Sequence, residues 1–506
     1  MIRRMDGSSR SRRLGLHARR LPLGCSVKPV ETIPKDHLRT RCTLACNPCS
    51  RPVLPTVTLL AGLVMASLPV AADPAPHPDW SHWRGPAAAG AWPDAPPLEE
   101  LTPAHLHQRW TVEIGPGYSA PTVAEGRVLV SWRRTEPVEQ EVVTAVDADS
   151  GELLWQYTYD TEYVHVDYPL GPRAAVTQAN GRAFSVGTMG HVHAFDASSG
   201  EVLWAFDARE RHGLDVPTWG VASAPVVFKD SVIIHLGGTE GAGIVAFDVA
   251  SGEERWRATD DRLSYSTPAL VETATGKPML LVWTGDHLSA LCPASGEVWW
   301  RIATATDRWI DFIINPVLSP ARDVVFVGSY FQGGWLVQLS PDGRQASLRW
   351  HRKGSSPRRT EALHSLMSPP LWLGDQLVGF DSQGELRGID PADGDRLWTS
   401  EDQVMATGTW ANAYLVAEPR PDHAWIVSEV GDLVLGRFNA DGWMELGRAP
   451  LIEPTTRLPQ RQGTDINWSH PAFAGRSIFA RNDRIFTRID IGEDHAAAAE
   501  DPTESE

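Results

Sequence analysis

Apolar and polar positions alternate in short runs along most of the chain, and turn-forming residues separate the runs. Eight of the runs resemble one another: RVLVSW, RAFSVG, SVIIHL, PMLLVW, VVFVGS, QLVGFD, AWIVSE and SIFARN. Runs of this length that are rich in Val, Ile, Leu and aromatic residues predict buried or half-buried β-strands. The sequence therefore predicts an all-β chain in which one strand arrangement recurs eight times.

A polar phrase follows these runs at regular distances. Five copies of it run Asp147–Trp155, Asp196–Trp204, Asp248–Trp256, Cys292–Trp300 and Asp390–Trp398. The Asp side chain starts a tight turn, Gly supplies the positive φ that reverses the chain, and the Trp ring packs against a neighbouring unit. We expect these structural roles at Asp147, Gly151, Trp155, Asp196, Gly200, Trp204, Asp248, Gly252, Trp256, Gly296, Trp300, Asp390, Gly394 and Trp398.

The phrases recur every 44 to 52 residues, and a period of that size is typical of a repeat architecture. A triplet such as Ser119–Pro121 or Ser223–Pro225 precedes most units, and Pro belongs at the start or edge of a strand. We therefore predict a β-propeller with eight blades. Its innermost strands are expected to begin near Tyr118, Arg173, Val221, Ser266, Ile313, Ser368, Ala411 and Ser469.

The last unit stops after three strands, at the segment RIFTRIDIGED. A spare strand, Gln108–Gly115, precedes the first unit and would complete the last blade. Closing the ring in this way removes the exposed strand edges that a propeller must avoid. The eight-bladed propeller is thus predicted over residues 108–492.

The first 107 residues are expected to lie outside the propeller. An uncharged apolar run at 53–72 ends in Val-Ala-Ala, which predicts a signal peptide cleaved after Ala72 and a periplasmic or secreted protein. An uncleaved anchor helix and an incorrectly assigned start of translation remain as alternatives. Residues 1–72 are taken as the leader and 73–107 as an arm containing Pro and Trp. Residues 493–506 are taken as a disordered acidic tail.

Cysteine content and charge agree with export. Four of the five cysteines precede the apolar run, so only Cys292 would remain and no internal disulfide is possible. Removing residues 1–72 takes away 12 basic and 3 acidic residues, which leaves 34 Lys and Arg against 60 Asp and Glu, a net charge of −26. Nucleic acid is therefore not expected as a partner, since so acidic a body repels phosphate backbones. Stable membrane insertion is not expected after cleavage.

Few positions suggest chemistry. The Gly-rich segment Gly237–Gly243 joins two strands and is interpreted as a hairpin loop, with phosphate binding as the weaker alternative. His191 and His193 share one strand face and are interpreted as packing residues, although two imidazoles could begin a metal site. If a ligand site exists, we expect it at the axial mouth. Residues before the innermost strands would line it: Tyr118, Arg173, Trp219, Tyr265, Asp311, His364, Trp410, Asp465, Trp468 and His470.

The fuller repeat, Ala-x-Asp-x-x-Ser-Gly-x-x-x-Trp, occurs from Ala145, Ala194 and Ala246. It resembles the pyrroloquinoline-quinone (PQQ) repeat of eight-bladed propellers, and the segment DWSHWRGPAAAG (79–90) is similar to the opening of exported bacterial members. The repeat family includes PQQ-dependent alcohol and glucose dehydrogenases as well as non-catalytic BamB-like propellers. Trp80, Trp83 and Arg84 of that opening are expected to pack over the propeller rim.

The resemblance implies two functions. The first is a non-catalytic scaffold that binds a protein or another macromolecule at the propeller rim and uses no cofactor. The second is a quinoprotein oxidoreductase acting on alcohols or sugars with PQQ and Ca²⁺, in which Asp311 would be the base, Arg173 would pair with a quinone carboxylate and a mouth tryptophan would stack on the quinone. The chain lacks the adjacent cysteines of the alcohol-oxidising enzymes, and therefore the binding function is favoured and no metal is expected.

Overall fold

The structure, a computed structural model, describes residues 79–305, 309–401, 403–458, 461 and 463–492. Eight four-stranded antiparallel sheets form the body of the protein. The predicted all-β propeller and its eight blades are confirmed. The predicted leader at 1–72, its cleavage point and the tail at 493–506 lie outside the described residues.

Each of the first seven blades is built from four consecutive strands. In the first four blades these are β2–β5 (Thr122–Ala124, Arg127–Arg134, Gln140–Asp147, Leu153–Asp160), β6–β9 (Thr177–Ala179, Arg182–Val186, His191–Asp196, Val202–Asp207), β10–β13 (Val226–Phe228, Ser231–His235, Ile244–Asp248, Glu254–Ala258) and β14–β17 (Ala269–Glu272, Pro278–Trp283, His287–Leu291, Val298–Ala303). In the next three they are β18–β21 (Val317–Leu318, Val324–Ser329, Gly333–Leu339, Ala346–Arg352), β22–β25 (Leu371–Leu373, Gln376–Phe380, Leu386–Ile389, Arg396–Ser400) and β26–β29 (Ala413–Ala417, His423–Ser428, Asp432–Asn439, Gly442–Pro450).

The eighth blade closes the ring with strands from both ends of the described chain. It contains β32–β34 (Ala472–Ala474, Ser477–Arg481, Ile485–Ile491) and, at its outer edge, β1 (Leu106–Glu113). Strand β1 pairs antiparallel with β34 from Leu106 opposite Ile491 to Glu113 opposite Ile485. The predicted closure is confirmed, with the strand two residues earlier than the predicted Gln108–Gly115.

Outside the blades the regular structure is short. A two-stranded hairpin, β30 (Thr456–Arg457) and β31 (Asp465–Ile466), lies in the connection to the last blade. One α-helical turn, α1, covers Ala208–His212, and two 3-10 turns cover Pro86–Ala88 and Pro103–His105. In the described part of the chain no helix is long and apolar enough to cross a membrane.

The repeated polar phrase forms the turn between the third and fourth strands of a blade. In the first blade the Asp147 side chain accepts hydrogen bonds from the backbone N–H groups of Asp149 and Ser150, at 3.1 and 2.8 Å, and Gly151 has φ +75°. The Trp155 indole N–H donates to the carbonyl of Ala197 in the next blade at 2.8 Å. The same bond to the following blade recurs at Trp204 and Trp300, whereas the Trp398 indole N–H donates to Gln376 of its own blade.

The innermost strands begin two to five residues later than predicted. Thr122, Val226, Ala269, Val317, Leu371 and Ala472 each follow the proline of a triplet directly. Since proline has no N–H to donate, strand pairing starts only after it. The residues before the triplet are consequently free of the sheet and lie around the propeller axis.

The first part of the arm, residues 79–89, crosses the propeller axis, and the part that follows runs outward along blade seven to its outermost strand. Hydrogen bonds join it to blades one, two, five and six through the pairs Trp80–Val123, Ser81–Gln178, Ala88–Asn315 and Arg84–Pro369. In a ring of eight, blades one and five face each other, as do blades two and six. The expectation that Trp80, Trp83 and Arg84 pack over the rim was therefore wrong.

Candidate functional site

The two faces of the ring carry different segments. One face, called here the turn face, holds the polar phrases and the arm: Trp92 donates from its indole N–H to the Gly475 carbonyl in the turn between β32 and β33, at 2.7 Å. The other face, called the mouth face, holds the connections that lead from one blade to the next. The candidate site lies where these connections converge on the axis.

A cavity of about 170 Å³ opens there, and many of its lining residues occupy the same position in their blades. The residue directly before the triplet, or before its equivalent, lines the cavity in seven of the eight blades: Tyr118, Arg173, Ala222, Tyr265, Ile313, Met367 and Trp468. Further lining comes from Trp83, Tyr168, Ala175, Trp219, Thr267, Leu366, Trp410 and Tyr414. Eight of these fifteen side chains are Tyr or Trp, so the cavity is mainly aromatic.

The arm forms the floor of the cavity. Trp83 packs against Ala120, Ala175 and Ala224, three small residues at the start of neighbouring innermost strands. Its ring also meets the His470 ring edge-on at a centroid distance of 5.3 Å. Because the arm crosses the axis at this level, the cavity is open toward the mouth face and blocked toward the turn face.

Among the described residues of the lining, Arg173 is the one that carries a positive charge. Its Nη1 donates to the Gly171 carbonyl at 2.8 Å, and its Nη2 donates to the carbonyls of Asp167 and Tyr168 at 2.8 and 2.7 Å. The guanidinium carbon lies 5.3 Å from the centroid of the Tyr118 ring. Burial lowers the pKa of Arg173, and the nearby tyrosines and Glu141 partly counteract this effect. The three carbonyl oxygens, and no bonded carboxylate, hold the guanidinium in place.

Two tyrosines on the lining differ in how their hydroxyl groups are used. The Tyr265 hydroxyl accepts a hydrogen bond from the Trp219 backbone N–H at 3.3 Å, and the two rings lie 4.9 Å apart. Burial raises the pKa of Tyr265 to about 12. The Tyr118 hydroxyl is buried and has no hydrogen-bond partner among the described residues, and burial also raises its pKa. Tyr118 therefore has a neutral O–H free for a ligand.

A buried ion pair fixes Trp468. Its indole N–H donates to Glu429 at 2.9 Å, and its carbonyl accepts from the Tyr414 hydroxyl at 2.5 Å. Glu429 also pairs with Arg461 and accepts from the Asn412 backbone N–H at 3.2 Å. Burial raises the pKa of Glu429 despite these donors. The aromatic wall on this side is consequently rigid.

Six of the ten predicted mouth residues line the cavity: Tyr118, Arg173, Trp219, Tyr265, Trp410 and Trp468. Asp311 and His364 do not, because they lie two and three residues before the lining position and point into the protein. Asp311 is fully buried and accepts from the Phe331 backbone N–H at 2.8 Å, and burial raises its pKa to about 6. His364 is also fully buried, with Nδ1 2.9 Å from the Tyr330 carbonyl.

The other two predicted residues, Asp465 and His470, also lie outside the cavity. Asp465 belongs to the small hairpin and pairs on the surface with Arg457 at 2.7 Å. His470 is buried beneath the floor, with its ring 4.6 Å from that of Tyr414 and its Nδ1 donating to the Pro471 carbonyl at 2.5 Å. Burial, reinforced by the charge of Arg84, lowers the pKa of His470 to about 3.

Sequence reasoning missed Trp83, Tyr168, Tyr414 and the apolar lining residues. A usable signal was present for Ala222, Ile313 and Met367, because each precedes its triplet just as Tyr118 precedes Ser119–Pro121. Choosing residues for their chemistry led to Asp311 and His364 in place of Ile313 and Met367. Nothing in the sequence indicated that the arm brings Trp83 to the axis.

Other positions singled out in the sequence are structural. His193 is buried with its ring 4.5 Å from that of Tyr159, and burial lowers its pKa to about 4. His191 lies 3.7 Å from Asp207 at the blade surface. The Gly-rich segment forms a loop between β11 and β12 in which Gly237 and Gly238 bond to Gly243 and Ala242. The residues that the structure covers contain no group of three His, Cys, Asp or Glu side chains placed to hold a metal.

A second pocket of about 240 Å³ adjoins the cavity on the mouth face. Trp219 and Tyr265 line both spaces and form the wall between them. The second pocket extends to Trp309, whose side chain is among the large apolar ones left in solvent, with 73% of the residue exposed. The mouth face thus carries the aromatic residues Trp219, Tyr265 and Trp309 beside the axial opening.

These residues do not fit a quinone held beside a calcium ion. Calcium requires six to eight oxygen ligands, among them carboxylates, and none of the described residues that line the cavity is Asp or Glu. Asp311, the proposed base, is not one of the described lining residues, and its Oδ2 accepts from the Phe331 backbone N–H.

Comparison with known proteins gives two groups of relatives. The chain is 24% identical to the outer membrane protein assembly factor BamB of Yersinia pestis, over 70% of this chain and 86% of that protein. It is 29% identical to the quinohemoprotein alcohol dehydrogenase ADH IIB of Pseudomonas putida, over 42% of this chain and only 28% of that enzyme. The chain therefore spans less than a third of the length of that dehydrogenase.

Solved structures agree on the fold. The quinohemoprotein alcohol dehydrogenase ADHIIG of Pseudomonas putida superposes with a TM-score of 0.54 at 14% identity, covering 82% of this chain and 80% of that one. The family model described as outer membrane protein assembly factor BamB matches residues 138–400, which is more than half of the chain. The chain therefore belongs to this family of PQQ-like β-propellers.

Proposed function

We propose that the protein is an exported, non-catalytic binding propeller that docks a protein partner on its mouth face. The observation that carries the proposal is the composition of the axial opening: eight aromatic side chains and one arginine converge there, and the part of the lining that the structure describes holds no carboxylate. Such a surface is suited to binding and lacks the paired acid and base that most catalysis requires.

Aromatic residues and arginine are the side chains that contribute most to protein interfaces. Trp309 stands exposed beside the second pocket, and Trp219 and Trp410 border the cavity itself. Large exposed aromatic groups on a soluble protein mark interaction surfaces. A partner that covers Trp309 and fills the cavity would bury much of this apolar surface.

The relatives support a protein partner. Those that align along most of their own length are named as assembly factors for outer membrane proteins, whereas the dehydrogenases align over a minor part of theirs. Export is supported by the apolar run at 53–72 and by the acidic chain that follows it. The same negative charge argues against nucleic acid as the partner.

Site-specific photo-crosslinking in the native cell tests the proposal. A photoreactive amino acid replaces Trp309 on the mouth face or, as the control, Ser198, which is equally exposed in a turn on the other face. We expect one reproducible protein adduct from position 309 and none from 198. Equal adducts from both faces, or none from 309, would contradict docking on the mouth face.

A further inference from the structure

The axial cavity is a blind space the size of one ring. Its volume of about 170 Å³ suits a single aromatic or branched aliphatic group. Trp83 and the arm block its inner end, so a polypeptide cannot thread through the propeller. Only a small molecule, a side chain or the end of a chain can fill it.

The polar and charged groups of the lining further limit the class of ligand that the cavity can bind. A guanidinium has five N–H donors, and three hydrogen bonds to carbonyls leave two of them unused on Arg173. The nearby Tyr118 hydroxyl is buried without a partner. Both groups donate hydrogen bonds, and none of the described lining residues is acidic; the negative charge that acts on Arg173 is that of Glu141, which lies behind the lining. An anionic oxygen between Arg173 and Tyr118 would accept hydrogen bonds from both side chains and would add a negative charge beside the guanidinium.

Two other ligand classes fit less well. Aromatic cages bind cations, but Arg173 would repel a second positive charge in this poorly solvated space. Sugars also stack on aromatic rings, but each hydroxyl buried without a partner lowers the affinity. The lining has few polar groups to offer, since the Thr267 hydroxyl already accepts from the Ala224 backbone N–H at 3.0 Å.

We propose that the cavity binds a carboxylate attached to a single apolar ring, with the ring among the tryptophans and the carboxylate between Arg173 and Tyr118. This inference deepens the proposed function, on which it rests for the identity of the site. The last residue of a polypeptide that ends in an aromatic side chain carries this chemistry, and so does a free aryl acid.

Calorimetry on the purified full chain tests the inference with a matched pair of probes. N-acetyl-phenylalanine carries the ring and the carboxylate, and its amide carries the ring without the charge. We expect the acid to bind at one site and the amide to bind about tenfold more weakly or worse, as for the loss of a hydrogen bond to a charged group. Equal affinities, or no binding of the acid at millimolar concentration, would overturn the inference.

Three variants locate the binding. Arg173→Met should reduce the affinity for the acid to that for the amide, and Arg457→Met, an exposed arginine outside the cavity, should change neither. Since Arg173 also holds the loop at Asp167–Gly171, Tyr118→Phe provides a milder test that removes one hydroxyl. Tyr118→Phe should lower the affinity for the acid several-fold and leave the affinity for the amide unchanged. Full affinity for the acid in both Arg173→Met and Tyr118→Phe would contradict the site.

A pentapeptide that ends in phenylalanine distinguishes the two sources of the ligand. Tighter binding of the peptide than of the free acid would assign the site to polypeptide ends, and equal binding would assign it to small acids. The crosslinking at Trp309 is independent of these probes. If the adduct at Trp309 persists while the acid fails to bind, the ligand chemistry is wrong and docking on the mouth face stands.

Discussion

At the scale of single residues, one carboxylate oxygen organises each repeated turn that begins with Asp, at Asp147, Asp196, Asp248 and Asp390. Asp196 accepts hydrogen bonds from the backbone N–H and hydroxyl groups of both Ser198 and Ser199, at 2.6 to 3.0 Å. These donors lower the pKa of Asp196 to about 2. The sequence predicted this role, because Asp and Ser at this spacing have few other uses. The fourth blade has Cys292 in its place, and its turn lacks the bonds to a carboxylate: the Ser295 and Gly296 N–H groups donate to the Cys292 carbonyl, and the Glu297 N–H donates to Ser295 Oγ.

Cys292→Asp should therefore stabilise the protein by about 1 kcal/mol, the usual gain from restoring a turn or cap. Asp390, which also precedes a proline, shows the geometry: its side chain accepts from the Ala392 backbone N–H at 2.7 Å. The gain should be present above pH 4 and should fade below it, as the new carboxylate protonates. Thermal denaturation at pH 7 measures it, with Cys292→Ala as the control. A Cys292→Asp protein no more stable than Cys292→Ala would contradict this role.

His470 predicts the acid sensitivity of the fold. Its pKa is lowered to about 3, so the unfolded chain takes up a proton below pH 6.5 that the folded protein refuses. Stability is then complete above pH 6.5 and falls as the pH drops toward 3, by at most about 1.4 kcal/mol per pH unit for this residue. Chemical denaturation at pH 7.5 and pH 5 should show a smaller loss for His470→Gln than for the wild type. If the wild type and His470→Gln lose the same free energy of unfolding between pH 7.5 and pH 5, His470 does not contribute to the acid sensitivity.

At the scale of elements, the join between blades depends on a glycine facing a tryptophan. Gly200 has φ +74°, and a Cβ there would lie 2.6 Å from the Trp155 ring of the preceding blade. Sequence predicted the strands, the turns and the closing strand, because each has a local signal in apolar alternation or in Asp, Gly and Pro. It placed the innermost strands too early, since the extended residues before each proline look like strand but have no partner.

Gly200→Ala should destabilise the protein by about 2 kcal/mol more than Gly181→Ala. Both positions have φ above +70°, so both variants bear the same backbone strain. Only at Gly200 does the new methyl group displace a tryptophan, while nothing lies within 4 Å of a Cβ at Gly181. Denaturation of the two variants in parallel measures the difference. Equal destabilisation would mean that the tryptophan contact is unimportant for stability.

At the scale of the whole molecule, the arm converts an open ring into a cup with one entrance. This feature was beyond sequence reasoning, because Trp83 meets Ala120, Ala175 and Ala224 only after three blades have assembled around it. The cavity itself was predictable in outline, since six of the ten proposed residues converge there. Asp311, which was expected at the mouth as the base of a quinone-dependent reaction, is not among the described lining residues.

Adding PQQ and Ca²⁺ to the purified protein should consequently leave its melting temperature unchanged. A ligand present at one hundred times its Kd would stabilise the fold by about 2.7 kcal/mol, which a thermal scan detects readily. Dye reduction with alcohols or sugars should also be absent. A clear thermal shift together with turnover would restore the oxidoreductase as the better account.

The most direct test of the central claim is the affinity of the partner captured at Trp309 for purified wild-type and variant propellers. Trp410 borders the cavity and Leu397 is exposed on an outermost strand. Trp410→Ala should weaken binding by at least about tenfold, as expected for an aromatic residue central to an interface, and Leu397→Ala should leave it unchanged. Undiminished affinity of Trp410→Ala would contradict docking at the axial mouth.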